Sequence, residues 1–322
     1  MFESRFGLLI PQRGTEFGVG TLAELLALGP LAERSALLSS VWVGDSLTAQ
    51  PRADSLALLG ALSAMTTRVR LGTACMASYP LRDPAVLAYQ WASLDQLSGG
   101  RMVLGACTGL TGEGVSAAEG AHWGVPDRER GARLAENLRL CRELWTGTEI
   151  DFDGRFHSYR GMAITPVPVQ DPCPVFIAAN PWNPSFADRA LRRVATLADG
   201  WMTAASWPGL FETLWAQLSR QLTEAGRDPA NFPVTVVYNI NVGADRDESL
   251  AETSRFISAH ENGGPVPAPM VDAWTAAGPP AACAATLRTL LDHGATHVIL
   301  RITAWDQYTQ LDRVVNEVLP LI

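Results

Sequence analysis

The chain has 322 residues, 47 % of them hydrophobic and 18 % charged, with a formal net charge of −8. That composition fills a large core and excludes a disordered polymer, and an acidic balance without a basic block excludes nucleic acid as a partner. Gly, Pro or charge interrupts every apolar stretch before it is long enough to cross a bilayer. Glu3 and Arg5 stand where the apolar run of a secretion signal would begin, so the expected setting is the cytoplasm, with Cys75, Cys107, Cys141, Cys173 and Cys283 reduced.

The predicted elements alternate. A strand over Phe6–Ile10 stops at Pro11, and a helix runs from Thr21 to about Ser39 on Leu22, Leu25, Leu26 and Leu28. Strand Val41–Val43, helix Ala53–Met65, strand Val69–Cys75, helix Pro84–Leu97 and strand Arg101–Cys107 follow. Helix Arg128–Trp145 precedes an insert, Glu149–Arg160, whose Asp153-Gly154 turn predicts a hairpin. Strand Val175–Ala179, helix Ser185–Leu197, strand Trp201–Thr203, helix Leu210–Ala225, strand Val234–Val242, helix Ala281–Asp292, strand His297–Ile302 and a last helix complete the chain. Eight strands with intervening helices predict a single-domain (β/α)₈ TIM barrel over residues 1–322 rather than a doubly wound sheet. The Pro- and Gly-rich stretch from Gly263 to Pro280, after the seventh strand, reads as a long loop, either a lid or a disordered link.

Barrel enzymes work at the carboxyl ends of their strands. Here those ends are Pro11-Gln12-Arg13, Gly44-Asp45-Ser46, Thr73-Ala74-Cys75-Met76, Cys107-Thr108-Gly109, Ala179-Asn180, Tyr238-Asn239 with Asn241, and Arg301. They hold no lysine, no histidine and no paired carboxylates. His293 and His297 are four apart but separated by Gly294, so no metal site is expected. Chemistry at such a mouth has to come from a bound redox cofactor, with the protein orienting it and excluding water.

Three stretches carry a resemblance: Thr66-Thr67-Arg68-Val69-Arg70-Leu71-Gly72-Thr73, Leu94-Asp95-Gln96-Leu97-Ser98-Gly99-Gly100-Arg101 followed by Leu104-Gly105, and Asp199-Gly200-Trp201. They are similar to signatures of the luciferase-like monooxygenases, which use FMN or the deazaflavin coenzyme F-420. The resemblance implies a non-prolyl cis peptide at Ala74-Cys75 beneath the flavin ring, with Thr73 and Thr108 beside it. It places Cys107 at the position of an active-site cysteine. Asp45 either orients the ring or caps a turn. Cofactor phosphate is expected after the fifth strand, on Ala179, Asn180 and Ser185, although Pro181 and Pro184 remove two N–H donors there. Arg13 and Arg301 are candidates for an anionic substrate, and Trp182, Tyr238 and Trp274 for an apolar one.

The favoured expectation is a monooxygenase using O₂ and reduced FMN on a small, largely apolar organic substrate. A separate reductase would supply the flavin, since no G-x-G-x-x-G fingerprint is present. The alternative is an F-420-dependent dehydrogenase or reductase, and a third reading is a flavin-binding protein without turnover. Deazaflavin sugar-phosphate dehydrogenases of the family pair Asp-His after the second strand and place Glu after the fourth. Asp45-Ser46 and Gly109-Leu110 stand there instead, which disfavours that substrate class. The resemblance further implies a homodimer.

Overall fold

The computed structural model describes residues 2–109, 115–207, 209–261 and 264–322. Eight parallel strands close into a barrel: β1 (Phe6–Ile10), β2 (Ser40–Asp45), β3 (Arg70–Met76), β4 (Met102–Ala106), β7 (Val175–Ala178), β8 (Gly200–Thr203), β9 (Val234–Val242) and β11 (His297–Ile302). The pairing of Trp201 with Val234 and Met202 with Thr235 seals β8 to β9. Between β4 and β7 the chain makes the predicted antiparallel hairpin, β5 (Ile150–Asp153) and β6 (Ser158–Met162).

Helices α1 (Leu22–Glu33), α2 (Ser55–Met65), α3 (Pro84–Ser98), α4 (Val115–His122), α5 (Asp127–Trp145), α6 (Asp188–Leu197), α7 (Leu210–Glu224), α8 (Arg246–His260), α9 (Ala268–Ala273), α10 (Pro280–Asp292) and α11 (Gln307–Arg313) cover the outside. The expected helix from Thr21 ends at Glu33, six residues short of Ser39. Thr21 is its N-cap in a reciprocal capping box with Glu24, and Pro30 lies in its last turn. Helix α8 has no counterpart in the predicted elements, although Asp245 caps it by accepting from the Glu248 N–H, a local signal the sequence carries. The stretch expected as one long lid or link is instead partly regular. Its described part forms α9 and then β10 (Thr275–Gly278), which adds to the upper half of β9 through Thr275–Asn239 and Gly278–Val242 pairs.

Two apolar cores result. The larger lies between barrel and helices, and a small one fills the barrel with Leu9, Trp42, Val103, Phe176, Met202 and Ile299. Gly72 makes room for Trp42: a Cβ there would run into the indole ring and the Val103 carbonyl. The recognisable Ser98-Gly99-Gly100-Arg101 run is a clamp at the amino-terminal end. Gly99 takes the left-handed conformation that ends α3. Buried Arg101 donates to the carbonyls of Ser98 (2.6 Å), Val69 (2.9 Å), Thr66 (2.8 Å) and Ser63 (3.1 Å). Asp95 accepts from the N–H groups of Met102, Val169 and Gln170.

Candidate active site

At the carboxyl end of the barrel the strands open into a cavity of about 720 Å³, a normal size for a small-molecule site. Its floor includes Leu9, Ala74, Cys75, Met202 and Val237. Strand β3 bulges against both neighbours, with register shifts between Val43 and Asp45 on one side and Gly72 and Met76 on the other. Within that bulge the Ala74-Cys75 peptide is cis, as the resemblance implies. The Cys75 and Cys107 sulfurs stand 2.6 Å apart. Contact with Cys75, followed by burial, holds the Cys107 thiol well above its ordinary value.

Asp45 lines the cavity but its carboxylate is already engaged. Oδ1 accepts from Ser55 Oγ (2.7 Å) and the Arg82 guanidinium (3.2 Å), and Oδ2 from the Ser78 N–H (2.8 Å). These bonds tie β2 to α2 and to the segment after β3, so Asp45 is placed to orient its surroundings. The next residue, Ser46, turns away and donates to Glu119 of α4 (3.1 Å), which also accepts the N–H groups of Leu47, Thr48 and Ala49. Burial opposes ionisation of Glu119, but these bonds outweigh it and hold the carboxyl below its ordinary range.

One end of the cavity is cationic. Arg13, Arg52 and Arg301 line it together with Gln50, His260 and Glu261. Arg301 donates to Asn239 Oδ1 (2.7 Å), and Arg52 donates to both the carbonyl and the side-chain oxygen of Gln50 (3.0 and 2.7 Å). Burial first, then the charge of Arg13, brings the Arg52 guanidinium down to about 10 despite Asp45 and Glu261. His260 Nδ1 lies 3.0 Å from Glu261 Oε1. A carboxylate there can only accept, which assigns the proton to Nδ1 and leaves Nε2 with its lone pair. Burial lowers His260 to about 4. Burial also opposes ionisation of Glu261, yet His260, Arg301 and Arg13 hold its carboxyl at about 2. A neutral imidazole and an ionised carboxylate therefore face the cavity at neutral pH. Sequence reasoning missed this pair because α8, which delivers it, was missed.

The other end holds Thr108, Gly109, Ala179, Asn180, Trp182 and Arg193. Asn180 Oδ1 accepts from Thr203 Oγ1 (3.1 Å) and the Ala204 N–H (2.7 Å). Ser185 does not reach this space. It sits in a three-residue turn, Pro184–Phe186, on a separate shallow depression with Glu212 and Arg220, and its N–H is taken by Asn183. The long helix starts later, at Asp188, with an acid in its first turn, so the expected anion cradle at Ser185 is not formed. Arg193, one turn further along α6, lines the cavity instead, with its Nε buried and without a hydrogen-bond partner. Burial, then neighbouring Arg189, lowers its guanidinium below the ordinary value.

Three further expected contacts lie outside the cavity. Thr73 is fully buried, its hydroxyl exchanging bonds with the Gly105 backbone at 3.0 and 3.1 Å. Tyr238 spends its hydroxyl on the Ala273 carbonyl (2.9 Å). Trp274 packs behind the rim against Trp182 and Trp207, with ring centres 5.6 and 4.7 Å away, and only Trp182 of the three lines the cavity. Among the described residues no group of three His, Cys, Asp or Glu is placed to hold a metal ion, and no helix is long and apolar enough to cross a membrane.

The luciferase-like monooxygenase family model matches residues 4–297, and the chain belongs to that family of oxidoreductase enzymes. It is 30 % identical over 332 residues to an F420-dependent glucose-6-phosphate dehydrogenase of Nakamurella multipartita, covering 95 % of this chain and 93 % of the relative. A Rhodococcus jostii protein of the same description is 30 % identical over 92 % of this chain and 93 % of its own length. Among solved structures, an F420-dependent secondary alcohol dehydrogenase superposes with a TM-score of 0.80 at 16 % identity, over 98 % of both chains. A monooxygenase from Streptomyces bottropensis superposes with 0.79 at 20 % identity, over 98 % of this chain and 99 % of its own. Backbone likeness therefore extends equally to both kinds of chemistry.

Proposed function

We propose that this enzyme is an F420-dependent oxidoreductase that exchanges a hydride with a small organic substrate carrying an anionic group. The observation that carries the reading is the His260–Glu261 pair in a cavity whose floor includes Ala74 and Cys75. A neutral imidazole held by a carboxylate is the proton acceptor that oxidation of an alcohol needs alongside hydride removal. The near full-length similarity to proteins described as F420-dependent dehydrogenases supports the deazaflavin over FMN, which shifts the weight from the expected FMN monooxygenase to its alternative.

The residues present fit a flat tricyclic ring. Ala74, Cys75, Gly109, Ala178 and Ala179 leave a low surface, and Asn180, Thr108 and Arg193 offer donors for the polar and anionic remainder of the cofactor. When bound, the deazaflavin accepts or returns a hydride. The chain's own part is then to hold the reactants and to manage a proton. His260 Nε2 takes the hydroxyl proton, its imidazolium steadied by Glu261, while Arg52 and Arg301 hold the substrate's carboxylate or phosphate. Asp45 keeps the segment beside the floor in place. The relatives named above act, by their description, on a phosphorylated sugar, which is likewise an anion. The His that deazaflavin sugar-phosphate dehydrogenases pair with Asp after the second strand is missing, Ser46 standing in its place and bound to Glu119. The proton acceptor proposed here therefore comes from α8.

Titration of the protein with F420 and with FMN tests the cofactor: the deazaflavin is expected to bind more tightly by at least tenfold. Reduction of bound F420 by anionic secondary alcohols, without oxygen uptake, is the expected activity. Oxygen consumption with reduced FMN in place of that reduction would establish the monooxygenase instead.

A further inference from the structure

Of the five cysteines, only Cys75 and Cys107 line the cavity. They stand at the ends of adjacent strands, where the Cys107 N–H reaches the Met76 carbonyl at 3.4 Å. Their sulfurs are 2.6 Å apart, about half an ångström beyond the ~2.05 Å of a disulfide bond. Cys75 is half-buried and faces the cavity, while Cys107 lies beneath it. Two thiols held this close in a space open to small molecules are arranged to react with each other.

We propose that Cys75 and Cys107 form a reversible redox pair, oxidised to an intramolecular disulfide by a small-molecule disulfide that enters the cavity. Cys75, the accessible member, attacks one sulfur of the oxidant as a thiolate. A mixed disulfide forms and one small thiol leaves. Cys107 then attacks the Cys75 sulfur, the protein disulfide forms, and the second small thiol leaves. In balance, two protein thiols are oxidised, the oxidant is reduced to two thiols, and the two protons pass to the leaving groups. The thiolate is the attacking form in both steps, so the exchange quickens as pH rises. The other three cysteines are buried away from the cavity and take no part.

The inference shares its cavity with the proposed cofactor, and a ring on this floor would cover Cys75. The test is therefore run on the full chain as purified, before cofactor is added, so that it stands or falls separately from the cofactor reading. The protein is equilibrated with glutathione disulfide, free thiols are blocked, and the chain is cleaved after arginine. The peptides spanning 71–82 and 102–128 are expected joined by a disulfide, two of the five thiols lost, and both recovered with dithiothreitol. A Cys107→Ser variant is expected to stop at a glutathione adduct on Cys75. Retention of all five thiols, or an adduct on Cys75 in the unaltered chain with Cys107 left free, would overturn the proposal.

Discussion

The two ends of the barrel treat buried polar groups in opposite ways. At the amino-terminal end a run of buried polar groups closes on itself. Trp42 Nε1 donates to Ser40 Oγ (2.6 Å), Ser40 Oγ lies 2.7 Å from His297 Nε2, and His297 Nδ1 reaches the Ser4 carbonyl at 3.2 Å, with Phe2 stacked on the imidazole at 3.9 Å. The carbonyl can only accept, so Nδ1 carries the proton and Nε2 accepts from Ser40. At the carboxyl end, Arg52, Arg301 and Arg193 face a cavity. Their surroundings balance only part of their charge. A closed polar network rigidifies, whereas charges directed into an open space are held ready for a ligand. The difference separates residues that make the barrel from residues that make the enzyme.

That separation is open to attack at both ends. The largest stability loss is expected from Trp42→Ala, about 3–5 kcal/mol by loss of a large ring from the barrel interior, read as a lower urea midpoint with unchanged slope. Arg101→Ala should cost about 2–3 kcal/mol, because several carbonyls lose their donor inside the clamp. It should leave cofactor affinity unaltered in the remaining folded protein. A cost near zero would show that the clamp residues do not carry the fold.

Acid supplies a third test. Burial holds His297 at about 3, against an ordinary value of 6.5. Between those pH values the unfolded chain binds a proton that the folded chain does not, so stability present above pH 6.5 is lost as pH falls. One such proton contributes up to about 1.4 kcal/mol per pH unit. His260, at about 4, adds with the same sign. Chemical denaturation from pH 7 to pH 4.5 should show this slope, and His297→Gln should reduce it by about one proton. An unchanged slope would mean that His297 does not titrate as its burial implies.

The smallest stability effect belongs to the mouth. Arg301→Met should cost only about 1–2 kcal/mol, because a single buried acceptor, Asn239 Oδ1, loses its donor. It should nevertheless raise KM for an anionic substrate at least tenfold. A large stability loss with unchanged KM would reverse the comparison and make Arg301 part of the framework.

The family was legible because its signatures are clamps. Arg101, Asp95 and Gly72 act through neighbours close in sequence or on the next strand, and eight short strands punctuated by Pro and Gly mark the barrel. The bulge at Ala74-Cys75 was likewise readable from a local motif. Ser185, Tyr238 and Trp274 were misplaced because a strand end or helix start fixes a residue's height in the barrel without fixing where its side chain turns. Arg193 was hidden beside Arg192 on one helix, where only the rotation of α6 sends one inward and leaves the other exposed.

The sequence by itself determined the period of the elements, the single barrel and a mouth poor in self-sufficient acid–base groups at the strand ends. The 25 residues counted as Lys or Arg are all arginine, which removes lysine chemistry altogether. Only the tertiary structure decided which charges meet. Arg52 precedes α2, His260 and Glu261 close α8, and Arg301 ends in β11. These groups are separated by up to 249 positions along the chain. They act on one another only because closing the barrel brings distant loops to a single rim, where burial and mutual charge set their protonation.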